Sequence, residues 1–294
     1  LSGACDDQSA SFLTTAAVRV ASAANVAFDS ITVRDVGGYG VWFDTACENV
    51  TLSRSHVHGL GAGGVRLGPP SSGVEPDEAL QNRASRVTDC VIENGGLWFE
   101  EGCGVLAQQV TAASIEHNAI RHFGYTGVSV GWTWGYAPTS VRDNRVAFND
   151  ISYIGRGTLS DMGCVYTLGI QPGSEVVNNV CHNVESYDYG GWGLYTDEGS
   201  SHILLRDNVV YSTKCAGVHQ HYGENNTFTN NILALVDRGD GTGGVPALDD
   251  DCDAGLRSSQ HAGECSAAAT GEAQGACSSF AFVGNIVVVQ AAAA

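Results

Sequence analysis

The chain has 294 residues, 43% of them apolar, which is enough to bury a continuous core and excludes a disordered segment. Its 32 Asp and Glu outweigh 14 Lys and Arg, giving a formal charge of −18. No basic cluster offsets that charge, so nucleic acid and an anionic membrane are excluded as expected partners. Taken in chain order, the predicted elements are short strands. A phrase Gly-Val-x-apolar-x opens at Gly40-Val41-Trp42-Phe43-Asp44 and returns at Gly64-Val65-Arg66-Leu67-Gly68, Gly104-Val105-Leu106-Ala107-Gln108 and Gly127-Val128-Ser129-Val130-Gly131. Its later forms are Cys164-Val165-Tyr166-Thr167-Leu168, Gly193-Leu194-Tyr195-Thr196-Asp197 and Gly217-Val218-His219-Gln220-His221. A second phrase, Asn followed by mostly apolar residues, starts at Asn118, Asn149, Asn179, Asn208, Asn231 and Asn285. These anchors recur roughly every 23 to 31 residues through the main run, the period of a solenoid.

Short β-branched runs broken by Gly, Asn and Asp point to strands, and no sustained 3.6-residue stripe points to a helix. The expected fold is all-β: a right-handed parallel β-helix, one domain over residues 1–294. A Gly-, Ala- and Asp-rich loop from about 237 to 278 is expected to be inserted between coils. Alternation along each strand sends Val, Leu and Ile of the phrase inward and leaves its third and fifth positions facing solvent. Stacking then makes two outward columns: Trp42, Arg66, Leu106, Ser129, Tyr166, Tyr195, His219 and Asp44, Gly68, Gln108, Gly131, Leu168, Asp197, His221. A solenoid core needs only the inward residues, so the aromatic and ionisable side chains gathered around Tyr166, Tyr195 and His219 mark a binding face.

The ten cysteines lack the close paired spacing of a zinc site, and no metal or cofactor is expected. Cys90, Cys164, Cys181 and Cys215 lie in strand phrases and read first as small core residues. Cys252, Cys265 and Cys277 lie in the insertion, where a disulfide would restrain a loose loop. The acidic run Asp249, Asp250, Asp251 and Asp253 reads as a solvated loop, since it lacks the spacing and Gly of a calcium loop. Sequons at Asn49 and Asn225 are compatible with secretion, and the chain is expected to be a monomer.

From Arg121 onward the motifs become specific: Gly131-Trp132-Thr133-Trp134-Gly135-Tyr136, Leu159-Ser160-Asp161-Met162-Gly163, Gly190-Gly191-Trp192-Gly193, Tyr195-Thr196-Asp197-Glu198-Gly199-Ser200-Ser201 and His219-Gln220-His221-Tyr222-Gly223. In this order and spacing they resemble the right-handed β-helix proteins of glycoside hydrolase family 141, most strongly from Gly124 to Asn231. The resemblance implies a secreted enzyme hydrolysing plant- or algal-type polysaccharide, α-L-fucosidase- or xylanase-like, through two aspartates that map by motif to Asp161 and Asp197. The chain departs from the family at Cys164, where relatives carry Gly, and in the acidic insertion after Val236. It also lacks the family's N-terminal part, so it reads as a fragment beginning at Leu1.

Glycoside hydrolysis uses two carboxyls about 5 to 10 Å apart across the scissile bond. Asp197 occupies an outward strand position beside Tyr195, and its column neighbour Leu168 hinders solvation, which suits a general acid. Asp161 is harder to place, because along a straight strand it would stand about 20 Å from Asp197. The pair requires Ser160–Gly163 to turn Asp161 back over the strand face; otherwise Asp161 is a turn residue and Asp188 or Glu198 supplies the second carboxyl. His219 and His221 share a strand face and fit substrate hydroxyls or the orientation of Asp197 better than a metal, for which no third ligand is evident. Tyr166, Tyr195 and Tyr222 offer hydroxyls, Glu198 opens the turn after Asp197, and Trp132 and Trp134 offer flat faces to a pyranose. Trp192 could equally wedge against the preceding coil. Two rival readings remain: a β-helical polysaccharide lyase, which would need calcium or a basic groove, and a non-catalytic glycan-binding solenoid.

Overall fold

A computed structural model describes residues 15–70, 80–235 and 280–289. Among these residues every named strand pairs in parallel with its neighbours and no α-helix occurs. The strands form one eight-stranded sheet, two nine-stranded sheets and a two-stranded patch, so each coil adds one strand to each main sheet: a parallel β-helix. The expected cysteine and acidic-run features of the insertion lie outside the described residues.

The repeated phrase builds the eight-stranded sheet. Val41, Val65, Val105, Val128, Val165, Leu194 and Val218 are successive pairing partners, all nearly solvent-free. Burying one such side chain is worth about 1.5–3 kcal/mol, so this column contributes strongly to the stacking. Ile120, Ile151, Cys181, Val210 and Leu233 form the corresponding inward row of the second sheet. In the third sheet the row is Ile115, Val146, Val176, Leu205 and Phe228.

The glycine that opens the phrase faces these aliphatics. A Cβ on Gly64, Gly104, Gly127 or Gly193 would stand 2.3, 2.4, 2.4 and 2.3 Å from Ile92, Ile120, Ile151 and Val210. In the one coil where the phrase begins with Cys164, the facing residue is Cys181, and the two form a disulfide with Cα atoms 6.1 Å apart. This corrects the reading of both as plain core cysteines; Cys215 is also disulfide-bonded, whereas Cys47, Cys90 and Cys103 are free and buried.

The anchors form a buried ladder between the third and second sheets. Asn118, Asn149, Asn179, Asn208 and Asn231 each donate through Nδ2 to Oδ1 of the next anchor, at 3.0, 2.9, 3.0, 2.9 and 2.8 Å, ending on Asn285. Each Nδ2 also reaches a backbone carbonyl of the preceding coil, for example Asn179 to Val146, so the amides satisfy backbone groups that the corner would leave unpaired. The residue before each anchor turns the corner in the left-handed region, with φ between 55° and 57° at His117, Phe148, Asn178, Asp207 and Asn230. Only Gly284, before Asn285, is a glycine among these corners.

One expectation about the phrase fails. Its third and fifth positions were to face solvent, yet at the third Trp42, Arg66, Leu106 and Ser129 are fully buried and Tyr166, Tyr195 and His219 are 4, 3 and 6% exposed. At the fifth Asp44, Gln108, Leu168 and Asp197 are buried, with only His221 partly open. The pairing register is as expected, from Trp42 with Arg66 through to Tyr195 with His219. Side chains of the column pack on one another, Trp42 lying between the guanidiniums of its strand neighbours Arg19 and Arg66 at 4.3 and 4.5 Å. Loop residues form a second layer over the face, as Trp132 does on Tyr166.

Candidate active site

The site is built where that second layer is polar. Tyr166 and Tyr195 are neighbours on the paired strands Gly163–Thr167 and Trp192–Thr196, their rings 5.0 Å apart and edge to face. Each donates its hydroxyl to a different aspartate: Tyr195 to Asp161 Oδ1 at 2.8 Å, Tyr166 to Asp197 Oδ2 at 2.5 Å. Burial, first, and the nearby aspartates push both phenols well above their usual ionisation range, so both remain neutral donors.

Asp161 does fold back over the sheet. It adopts φ 53°, its N–H donates to Tyr189 O at 3.3 Å, and its carbonyl accepts the Tyr125 hydroxyl at 2.9 Å. The separation of about 20 Å along a straight strand is therefore avoided: the hydroxyls of Tyr195 and Tyr166, whose rings lie 5.0 Å apart, end on Asp161 and Asp197. Asp197, 5% exposed, also meets His221 Nδ1 at 3.0 Å. The hydrogen bond to Asp197 raises the His221 pKa; burial opposes it, and Asp197, Glu198 and Asp161 add further negative charge. Glu198 Oε1 lies 4.0 Å from the same nitrogen, and its Oε2 accepts the Tyr222 hydroxyl at 2.9 Å. Asp188 is exposed and meets the turn through its backbone, donating to Ser160 Oγ.

The loop from Gly131 to Tyr136 closes the side of the site. It passes so near the strand ends that a Cβ on Gly169 would stand 2.4 Å from Thr133 O, and one on Gly199 2.0 Å from Gly135 O; both glycines also have positive φ. The approach sets Tyr136 against Tyr222, rings 5.9 Å apart, and Trp134 edge-on to Trp132. Trp132 is 1% exposed and packs on Tyr166 at 6.0 Å, so its face is spent on the core and is not open to a sugar; this corrects its expected role. Trp134 is partly exposed. His219 lies beneath Trp192, rings 4.1 Å apart and nearly parallel, which makes Trp192 the wedge and His219 an inner support. Among the described residues no group of three or more His, Cys, Asp or Glu could hold a metal ion. Sequence reasoning missed Tyr125, Tyr189 and Lys214, whose parts depend on contacts between loops of different coils and leave no periodic trace.

Stacked coils with a carboxylate-rich, tyrosine-lined patch on one sheet define a parallel β-helix protein with a candidate site on one face of the solenoid. The chain belongs to the family described as right handed beta helix region, which matches residues 79–243. It is similar to a solved chain titled "Glycoside hydrolase", with 28% identity and a TM-score of 0.62, covering 67% of this chain and 35% of that one. This chain therefore spans about a third of that relative's length. No curated protein matches the chain.

Proposed function

We propose that the protein is a glycoside hydrolase of the family 141 type, acting on a neutral plant- or algal-type polysaccharide, with Asp161 and Asp197 as the reacting carboxyls. The observation that carries this reading is that two neighbouring buried tyrosines, Tyr195 and Tyr166, rings 5.0 Å apart, each donate a hydroxyl to a different carboxylate, Asp161 and Asp197. Glycosidic cleavage needs one carboxyl that delivers a proton to the leaving oxygen and one that attacks the anomeric carbon or activates water. His221, whose pKa is raised by its hydrogen bond to Asp197, keeps a proton on its imidazole beside that carboxyl, and the Asp197–His221 pair acts as the acid. Asp161, the more open of the two, acts as nucleophile or base, with Tyr195 fixing its carboxylate plane. The similarity to a chain titled "Glycoside hydrolase" supports the reaction class; the resemblance of the Asp161 and Asp197 motifs supports the residues.

The test compares the wild-type protein with Asp161→Asn and Asp197→Asn on an aryl α-L-fucoside, an aryl β-xyloside and xylan. Either substitution is expected to lower kcat by roughly 10²–10⁴-fold, the range of acid–base catalysis, without loss of folding. Turnover undiminished in both variants would refute the pair. Glycan binding without turnover by the wild-type chain would favour the non-catalytic solenoid.

A further inference from the structure

Beside Asp161, the loops that lead from the second sheet into the eight-stranded sheet stack on one edge of the helix. The loop after the strand Val180–Val184 presents Tyr187 and Tyr189, 72 and 46% exposed. A single cation fastens it: Lys214 Nζ donates to the carbonyl oxygens of Ser186, Tyr187 and Asp188, at 3.0, 3.1 and 2.6 Å. Three successive carbonyls converging on one ammonium fix the backbone of a loop that would otherwise be free to swing. The other side of the loop is tied to the Ser160–Asp161 turn: Asp188 N donates to Ser160 Oγ, and Tyr189 O accepts Asp161 N. Gly190 makes that contact possible, since with φ 90° its Cβ would stand 2.8 Å from Asp161 N.

The Tyr189 ring continues an aromatic series inward. It lies 6.3 Å from Trp192, which is 4.4 Å from Tyr195, the residue that holds Asp161. The indole N–H of Trp192, itself 4% exposed, has no hydrogen-bond partner among the described residues, an uncommon state for a buried tryptophan. Exposed rings next to an unsatisfied donor match the two kinds of surface of an uncharged pyranose, an apolar C–H face and a rim of hydroxyls. Among the described residues an anionic sugar would find no open cation on this loop, because Lys214 is committed to carbonyls.

We infer that the loop 186–191 is a sugar-binding edge of the site, in which Tyr189 stacks on the pyranose adjoining the one held at Asp161, Tyr187 meets the next sugar along the chain, and Lys214 is the positioning residue that sets the loop. This rests on the proposed glycosidase reading for the location of the reacting sugar, but its ligand is bound whether or not it is cleaved. The inference is tested by calorimetric titration of xylohexaose and of a fucosylated xyloglucan oligosaccharide into Asp161→Asn protein, chosen to slow turnover, with the sugars checked for cleavage after each titration. Adding Tyr189→Ala is expected to weaken binding about tenfold, whereas Tyr189→Phe keeps the ring and stays within about twofold. Lys214→Met is expected to match the loss seen with Tyr189→Ala, and Lys214→Arg, which can still donate to the carbonyls, to restore most of it. Equal binding by the Tyr189→Ala protein and its parent, or no binding of either oligosaccharide by the parent, overturns the inference. A protein that cleaves aryl glycosides but binds oligosaccharides independently of Tyr189 loses only this edge. One that binds through Tyr189 and cleaves nothing keeps the edge and loses the catalytic reading.

Discussion

Tyr195 has few freedoms left: its ring is packed by Tyr166, Trp192 and His219, and its hydroxyl ends on Asp161. Tyr195→Phe removes one donor from a carboxylate without changing the packing. Hydrogen bonds to charged groups contribute about 1.5–3 kcal/mol, so kcat is expected to fall about ten- to hundredfold while thermal stability changes little; an unchanged kcat would separate Asp161 from the chemistry. His221 gives a prediction of definite sign. Its pKa in the folded protein lies above the usual 6.5 because its hydrogen bond to Asp197 favours the protonated imidazole. The protonated form is thus preferred by the folded state, and the stabilisation is complete below the unfolded value and lost as pH rises through the folded one. About a third of the side chain is exposed, so solvent screening limits the contribution to about 1 kcal/mol or less. His221→Asn should therefore lower Tm at about pH 5.5 and leave it nearly unchanged at about pH 9. A larger loss at the alkaline end would contradict the assigned pair.

The coil is the natural unit in which to argue stability, and two of its devices make separable predictions. In the middle of the amide ladder, Asn179 accepts from both the N–H and Nδ2 of Asn149 and donates to Asn208 and Val146. Asn179→Ala strands several buried backbone and amide groups at once, each costing about 1–3 kcal/mol, so a loss on the order of 3 kcal/mol or more is expected in denaturant unfolding. Asn285→Ala at the ladder's end removes fewer buried contacts and should cost less; equal losses would show that the ladder does not act as a chain of rungs. The second device is the exchange of a glycine–aliphatic pair for Cys164–Cys181. Its closure over 17 residues is worth about 3 kcal/mol in the chain-entropy picture. Cys181→Ile alone would press an aliphatic side chain against Cys164, whereas adding Cys164→Gly recreates the Gly127–Ile151 arrangement of the preceding coil. The double variant should be more stable than Cys181→Ile by at least about 1 kcal/mol, and additive effects in the cycle would refute direct packing between the two positions.

At the scale of the molecule, the legible part of the sequence was whatever the stacking repeats. Val41 through Val218 fall in one column because strand alternation and coil period leave them no other place, and the Asn anchors are visible because each must satisfy the same corner. Burial of Tyr166 and Trp132 was not legible, since the layer over the sheet comes from loops of unequal length. Nor was the clamp of Lys214 on three carbonyls, which in sequence is a lone lysine among small residues. Charge, by contrast, is a property of the whole chain and carries the last prediction. A net −18 surrounds a site whose described acidic groups, Asp161, Asp197 and Glu198, face one partly exposed histidine. At about 10 mM salt the Debye length is about 30 Å, long enough for the whole charge to act on a polyanion, and at about 0.5 M it shrinks below about 5 Å. A polyuronate should then bind weakly at low salt and better as salt is added, while kcat/KM on neutral xylan changes less than about twofold over the same range. Tight polygalacturonate binding at low salt that weakens with added salt would require a basic groove, and would move the protein from the hydrolase reading to the lyase one.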